Sequence, residues 1–183
     1  MRQGPIPGVR GRVRPLRLLG DPVLHAPCAE VTDFGQQLAA LVEDLFATMY
    51  AANGVGLAAN QTGEPVRVFV YDCPDDEDVQ HRGHVVNPRL VERGGMVLRG
   101  PEGCLSLPGL EAGTERYDEA VVEGFTVTGE RVRVRGTGFF ARCLQHECDH
   151  LDGGVYSDRL TGWRRRRLLR RAARAPWSGG TPG

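Results

Sequence analysis

The chain has 183 residues, with 23 arginines and no lysine balanced by 23 acidic residues, so the formal net charge is zero. That length suits one domain with a real core, or a core with tails. The charge balance gives no pointer to DNA, and no apolar run approaches the roughly 18 residues that would span a bilayer.

The opening stretch, MRQGPIPGVRGRVRP, lacks the apolar segment of a secretory signal, and its prolines and glycines would break the amphipathic helix of a transit peptide. Residues 1–14 are therefore expected to form a disordered tail. With no export signal the protein is placed in the cytoplasm, where its five cysteines are expected as free thiols or metal ligands rather than disulfides. The clearest helix opens at Thr32-Asp33. Phe34, Leu38, Leu41, Val42, Leu45, Phe46 and Met49 recur at three- and four-residue steps, Asp33 can cap it with Gln36 three residues on, and Asn53-Gly54 stops it. Residues 54–61, GVGLAANQ, are too small and glycine-rich to continue it. Residues 66–71 predict a strand and the acidic stretch 74–78 a surface loop. Short strands follow at 85–86, 96–98, 120–125 and 131–134, with a turn at Thr128-Gly129 between the last two. Residues 138–151 return to helix, ended by Gly153-Gly154. A basic helix is expected at about 160–174, where Arg164 to Arg174 include seven arginines and no acid. Residues 176–183 are expected as a tail. Strands that run consecutively, without helices between them, predict an α+β fold: mainly antiparallel sheet packed around the helix at 138–151, with a C-terminal helix, in a single domain over 15–175.

Residues 145–154 read QHECDHLDGG. On a helix, His146 and His150 stand one turn apart on one face and can share an ion, with Glu147 beside them to handle a proton. The alternative is a surface helix with two ordinary histidines. The apolar Phe139, Phe140, Cys143, Leu144 and Leu151 predict a buried helix, and a buried histidine pair with an acid needs satisfying. Two histidines are too few for a catalytic metal, which takes three protein ligands and keeps one position open. Downstream there is neither histidine nor glutamate, and Asp152 and Asp158 stand at no recognisable ligand spacing. The third ligand must then lie upstream: a cysteine, His25, His81 or His84. His81 and His84 flank the acidic loop and are expected to be solvated. Among the cysteines, Cys104 stands out in the tight segment EGCLSLP. Cys28, Cys73, Cys143 and Cys148 read as small buried thiols, with Cys148 pointing off the ligand face. Two other classes stay open: a metalloprotease of the H-E-x-x-H kind, which lacks its downstream ligand here, and a closed, non-catalytic metal site with a fourth protein ligand.

Three segments in order, GVGLAANQ at 54–61, EGCLSLP at 102–108 and QHECDHLDG at 145–153, resemble the three motifs of the peptide deformylase family, from about Pro15 to Leu160. The resemblance implies one divalent metal held by Cys104, His146 and His150 with a water in the fourth place, natively Fe2+, for which Zn2+, Ni2+ or Co2+ can substitute. It implies removal of the formyl group from N-formyl-methionyl nascent peptides, with Glu147 as general acid/base and formate as product. Gln61 and the backbone N–H of Leu105 match the groups that stabilise the oxyanion, and Gly56 matches a residue whose backbone meets the substrate. Val55, Leu57, Cys143 and Leu144 are candidates to line a methionine pocket, and Glu102 to partner Arg116. Where some members carry an arginine that contacts the peptide, this chain offers Glu111. The basic C-terminal helix resembles one that in some members docks on the ribosome. Neither a membrane nor DNA is expected as a partner.

Overall fold

A computed structural model describes residues 10–179. Five strands form one sheet in sequence order, each antiparallel to the next: β1 (Gly56–Ala58), β2 (Val68–Pro74), β3 (Gln80–Gly103), β4 (Glu111–Phe125) and β5 (Arg131–Thr137). Helix α1 (Gln36–Ala51) covers one face and α2 (Gly138–Leu151) the other, while α3 (Gly162–Ala172) closes the chain. This is the α+β arrangement expected, with α2 at its centre.

The pleat explains why β2 is buried along most of its length. Alternate side chains point to opposite faces. Val68 and Val70 pack with Leu38, Leu41, Val42, Leu45, Phe46 and Met49 of α1. Phe69, Tyr71 and Cys73 pack with Phe140, Cys143, Leu144, Cys148 and Leu151 of α2. Both periodicities read from the sequence thus meet at one strand. A third cluster, Leu107, Leu110, Tyr156, Leu160, Leu168 and Ala172, seats α3 against the loop after β3.

Four expectations change. First, α1 begins at Gln36, after Gly35 and without a side-chain cap, rather than at Asp33. Phe34 stays outside the helix to meet the Phe125 ring edge-on at 5.9 Å. The stop is as read: Asn53 turns left-handed at φ 55° and the Gly54 N–H returns to Met49 O. Second, the short strands at 85–86 and 96–98 belong to one 24-residue strand, β3. Its outer half is exposed on both faces, so no alternation marks it, and its register with β4 shifts between Gly94 and Val97. Third, the tails are shorter than read. Residues 1–9 and 180–183 lie outside the described residues. The Arg12 N–H, however, donates to Asp44 Oδ1 (2.7 Å), the Arg14 N–H to Thr48 Oγ1 (2.9 Å), and the Arg14 side chain pairs with Asp44 and Glu64. At the other end, Trp177 Nε1–H donates to Pro108 O (3.1 Å). Fourth, Phe139 is 45% exposed although it sits on the helix read as wholly buried.

Leu45 is fully buried at the centre of the α1 stripe. Leu45→Ala is expected to lower unfolding stability by about 2–5 kcal/mol in urea denaturation, with the oligomeric state and secondary structure unchanged.

Candidate metal centre and its cleft

The fully helical spacing of α2 puts His146 and His150 on one face, their Nε2 atoms 3.2 Å apart. Cys104, one residue beyond the end of β3, enters from the opposite side with Sγ 3.1 Å from His150 Nε2. The three donor atoms lie within 4.8 Å of one another, as three corners of a tetrahedron with metal bonds of about 2.0–2.3 Å require. Among the described residues this is the one such His/Cys/Asp/Glu group. His25 is exposed. His81 pairs with Asp75 (2.7 Å) and stacks on Phe140, and His84 Nε2 accepts the Val127 N–H (2.9 Å), so neither histidine is simply solvated and neither reaches the cluster. Asp152 pairs with Arg67 and Asp158 with Arg165. Cys28, Cys73, Cys143 and Cys148 are buried thiols, as read.

The donors are primed for a cation. His146 Nδ1–H donates to Glu102 Oε1 (2.7 Å), which fixes the tautomer and leaves Nε2 free for a metal. Cys104 Sγ accepts from the Ser106 N–H and from Gln61 Nε2, each at 3.4 Å. Burial works to raise the Cys104 pKa, but the charge of His150 and hydrogen bonds from both histidines outweigh it and hold the thiol well below its ordinary value. For His146, burial favours the neutral ring, yet bonds to Cys104 and Glu102 raise its pKa well above the ordinary value. A thiolate and two imidazoles, buried together, fit one divalent ion.

Glu102 reaches further than a single partner. Its Oε2 accepts from Arg116 Nε (3.0 Å) and Arg142 Nη1 (2.9 Å), and its Oε1 from Arg116 Nη2 (2.5 Å) as well as from His146. Arg116 Nη1 then donates to Asp149 Oδ2 (2.6 Å), and Arg159 grips the same carboxylate through Nε and Nη2. The Glu102–Arg116 pair was legible; Arg142, Asp149 and Arg159 were not. Arg142 lies four residues before His146 and Asp149 three after it, so helical spacing on the ligand face was the signal available.

A cleft of about 800 Å³ opens over Cys104 and His146. Gly56, Gln61, Leu105, Cys104, His146 and Glu147 all border it. Gln61 is held in a 3-10 turn after β1: its Oε1 accepts the Ala58 N–H (3.0 Å) and its Nε2 donates to Ser106 Oγ (3.1 Å). Glu147 is 3% exposed, and its Oε2 has no hydrogen-bond partner among the described residues. Burial pushes its pKa up to about 7. Val55 and Cys143 border the cleft as expected, whereas Leu57 and Leu144 are fully buried in the two cores; Leu105 and Phe139 take their places. Strand β1 is an edge of the sheet, with an open side.

Fold and site together define a hydrolase-type metal centre: three protein donors, a buried carboxylate beside them and an open cleft. A model of the polypeptide deformylase family matches residues 13–166. The chain is 83% identical over 177 residues to peptide deformylase 2 of Streptomyces coelicolor, covering 97% of this chain and 99% of that one. It is 81% identical over 178 residues to peptide deformylase 2 of Streptomyces avermitilis, covering 97% and 96%. The crystal structure of peptide deformylase from Ehrlichia chaffeensis in complex with actinonin superposes with a TM-score of 0.83 at 30% identity, covering 89% of this chain and 97% of that one. The chain belongs to the polypeptide deformylase family. Its reaction is the metal-dependent removal of the N-formyl group from nascent peptides.

A Cβ added at Gly56 would fall inside contact distance of Glu147 Oε1 and lie 2.8 Å from Cys143 Sγ. Gly56→Ala is therefore expected to displace the Glu147 carboxylate and to cut kcat/KM by about 10²-fold, with thermal unfolding shifted little. Wild-type kcat/KM in this variant would show that the carboxylate has room to spare.

Proposed function

We propose that Cys104, His146 and His150 hold one ferrous ion and that Glu147 is the general acid/base of the deformylation. The observation that carries this reading is the Glu147 carboxylate, buried beside the converging donors with Oε2 unpartnered. A thiolate with two imidazoles also accepts zinc, nickel or cobalt. When bound, the metal supplies a Lewis acid that polarises the formyl carbonyl and acidifies water. Glu147 takes the proton of the attacking water as the new C–O bond forms and delivers it to the amine nitrogen as the C–N bond breaks, releasing formate and a free N-terminal methionine. A carboxylate with a pKa of about 7 can take and return a proton near neutral pH. The developing negative charge meets Gln61 Nε2–H and the Leu105 N–H, which donates to nothing else among the described residues.

The peptide lies along the open side of β1, its backbone close to Gly56, which has no side chain to hold it off. Its methionine side chain enters among Val55, Leu105, Phe139 and Cys143. Among the described residues no helix is long and apolar enough to cross a membrane. The enzyme works in the cytoplasm, where nascent chains carry the formyl group it removes. Arg166 and Arg170, exposed on the side of α3 away from Leu168 and Ala172, and the exposed Arg174 just beyond the helix suit phosphate contacts with a ribosome.

The test is formate release from formyl-Met-Ala-Ser by protein purified without oxygen, with the bound metal measured alongside. Glu147→Gln is expected to retain the metal and lower kcat by about 10²–10⁴-fold. A Glu147→Gln enzyme of wild-type kcat would refute its role.

A further inference from the structure

The seven arginines at the C-terminal end do not form one patch. Arg165 pairs with Asp158. Arg164, Arg167 and Arg171, at steps of three and four, share a face of α3, and that face borders cavities. A second groove, of about 260 Å³, is lined by Arg164 and Arg167, by Trp163 before them, and by Arg99 of β3 and Gly113 of β4. It meets the substrate cleft at Glu111, which borders both, and Arg171 stands at that end of the cleft.

Three features make this groove a site for an anion. Arg99 lies opposite Glu115 in the strand register, yet its side chain turns over Gly113, where an added Cβ would sit 2.9 Å from Nε. Arg99, Arg164, Arg167 and Arg171 have no ion pair or hydrogen bond from their guanidinium groups among the described residues. Three like charges, Arg99, Arg164 and Arg167, thus line a concave surface with Arg171 at the adjoining end of the cleft, and Glu111 is the one carboxylate among the groove's lining residues. Finally, Trp163 is 61% exposed, with the Arg164 guanidinium 5.8 Å from its ring centroid, so the rim offers an apolar ring as well as charge.

We propose that this groove is a subsite of the peptide cleft that takes an acidic side chain of the substrate, downstream of the formylated methionine. The inference rests on the deformylase reading and adds a preference to it. Continuity with the cleft favours a peptide over a nucleic acid: an extended chain leaving the metal centre past Glu111 runs directly into the arginines. The groove's volume suits one or two side chains. A polyphosphate would also have to lie against Glu111, whose carboxylate disfavours a dense anion more than a single Asp or Glu.

The experiment uses short formyl-Met peptides in which one Asp is moved along an alanine background, beside the all-alanine reference, at low and high salt. At one or two adjacent positions Asp is expected to lower KM about threefold with kcat unchanged, an advantage typical of a partly exposed ion pair that fades as salt is raised. Arg164→Gln with Arg167→Gln is expected to abolish the difference. Glu111→Gln is expected to enlarge it, since a like charge at the junction is removed. Arg93→Gln, an exposed arginine of β3 outside the groove, removes the same charge and is expected to leave it intact. Asp without effect at every position, or an effect that survives in the double variant, would overturn the subsite. Loss of ribosome co-sedimentation in the double variant, with KM differences unchanged, would overturn it too and make the groove a nucleic-acid surface. If the reference peptide is not deformylated, the assigned reaction fails instead, and the same threefold contrast, or its absence, is then read from peptide affinity.

Discussion

A single buried carboxylate, Glu102, holds the site together. Removing a carboxylate from water costs several kcal/mol even after relaxation, and here it is 5% exposed. The cost is offset because both oxygens accept two hydrogen bonds each, from Arg116, Arg142 and His146. Burial acts to raise its pKa, but the bonds from His146 and Arg116 prevail and keep it ionised. The donors come from β4 and α2, so the charge can be satisfied only when the end of β3, β4 and α2 are docked together. Cys104 follows two residues after Glu102, and the docking that satisfies the carboxylate also brings the thiol to the histidines. Arg116 then passes its own charge to Asp149 and Arg159. The cluster is a geometric constraint more than a source of net stability, since well-packed apolar groups can do as well or better in its place.

The second constraint is closeness. A carboxylate that is to move a proton beside a metal must be dry, so that its pKa rises, and must still leave a route for the substrate. Glycine resolves that conflict at position 56, where the β1 backbone passes directly over Glu147 and Cys143. On the far side of the cleft, Gln61 is braced by Ala58 and Ser106 and touches the Cys104 sulfur. The groups assigned to proton transfer and to charge stabilisation are therefore set by packing before any peptide arrives, the arrangement that preorganised catalysis requires.

The α+β class and the helix at 138–151 were legible because each rests on a local period. The two faces of β2 and the stripes of α1 and α2 are written into residue spacing. The three residues whose donor atoms converge were also named from the sequence, His146 and His150 from i, i+4 spacing and Cys104 through a motif. What stayed hidden depends on contacts distant in sequence. Phe34 leaves α1 for Phe125, Arg14 anchors on Asp44 and Glu64, and Trp177 returns to Pro108; no neighbour in the chain announces these. Strand β3 hid its length because its outer half is solvent-exposed, so burial imposes no pattern there. Leu57 and Leu144 were apolar and near the motifs, yet strand and helix geometry turns them into the cores and leaves the pocket to Leu105 and Phe139. The basic run at the C-terminus was plain in the sequence, but its division into an inward and an outward face needed the packing of Leu168 and Ala172.

The central claim is that Glu102 fixes the metal site by holding His146 and neutralising Arg116. The most direct measurement is the rate of metal transfer to a competing chelator from Glu102→Gln and wild-type proteins, beside urea unfolding of their metal-free forms. The expected result is metal loss about 10–100-fold faster, with stability lower by about 3–5 kcal/mol because Arg116 is left buried with half its counter-charge. Metal retention and stability both equal to wild type would contradict the claim.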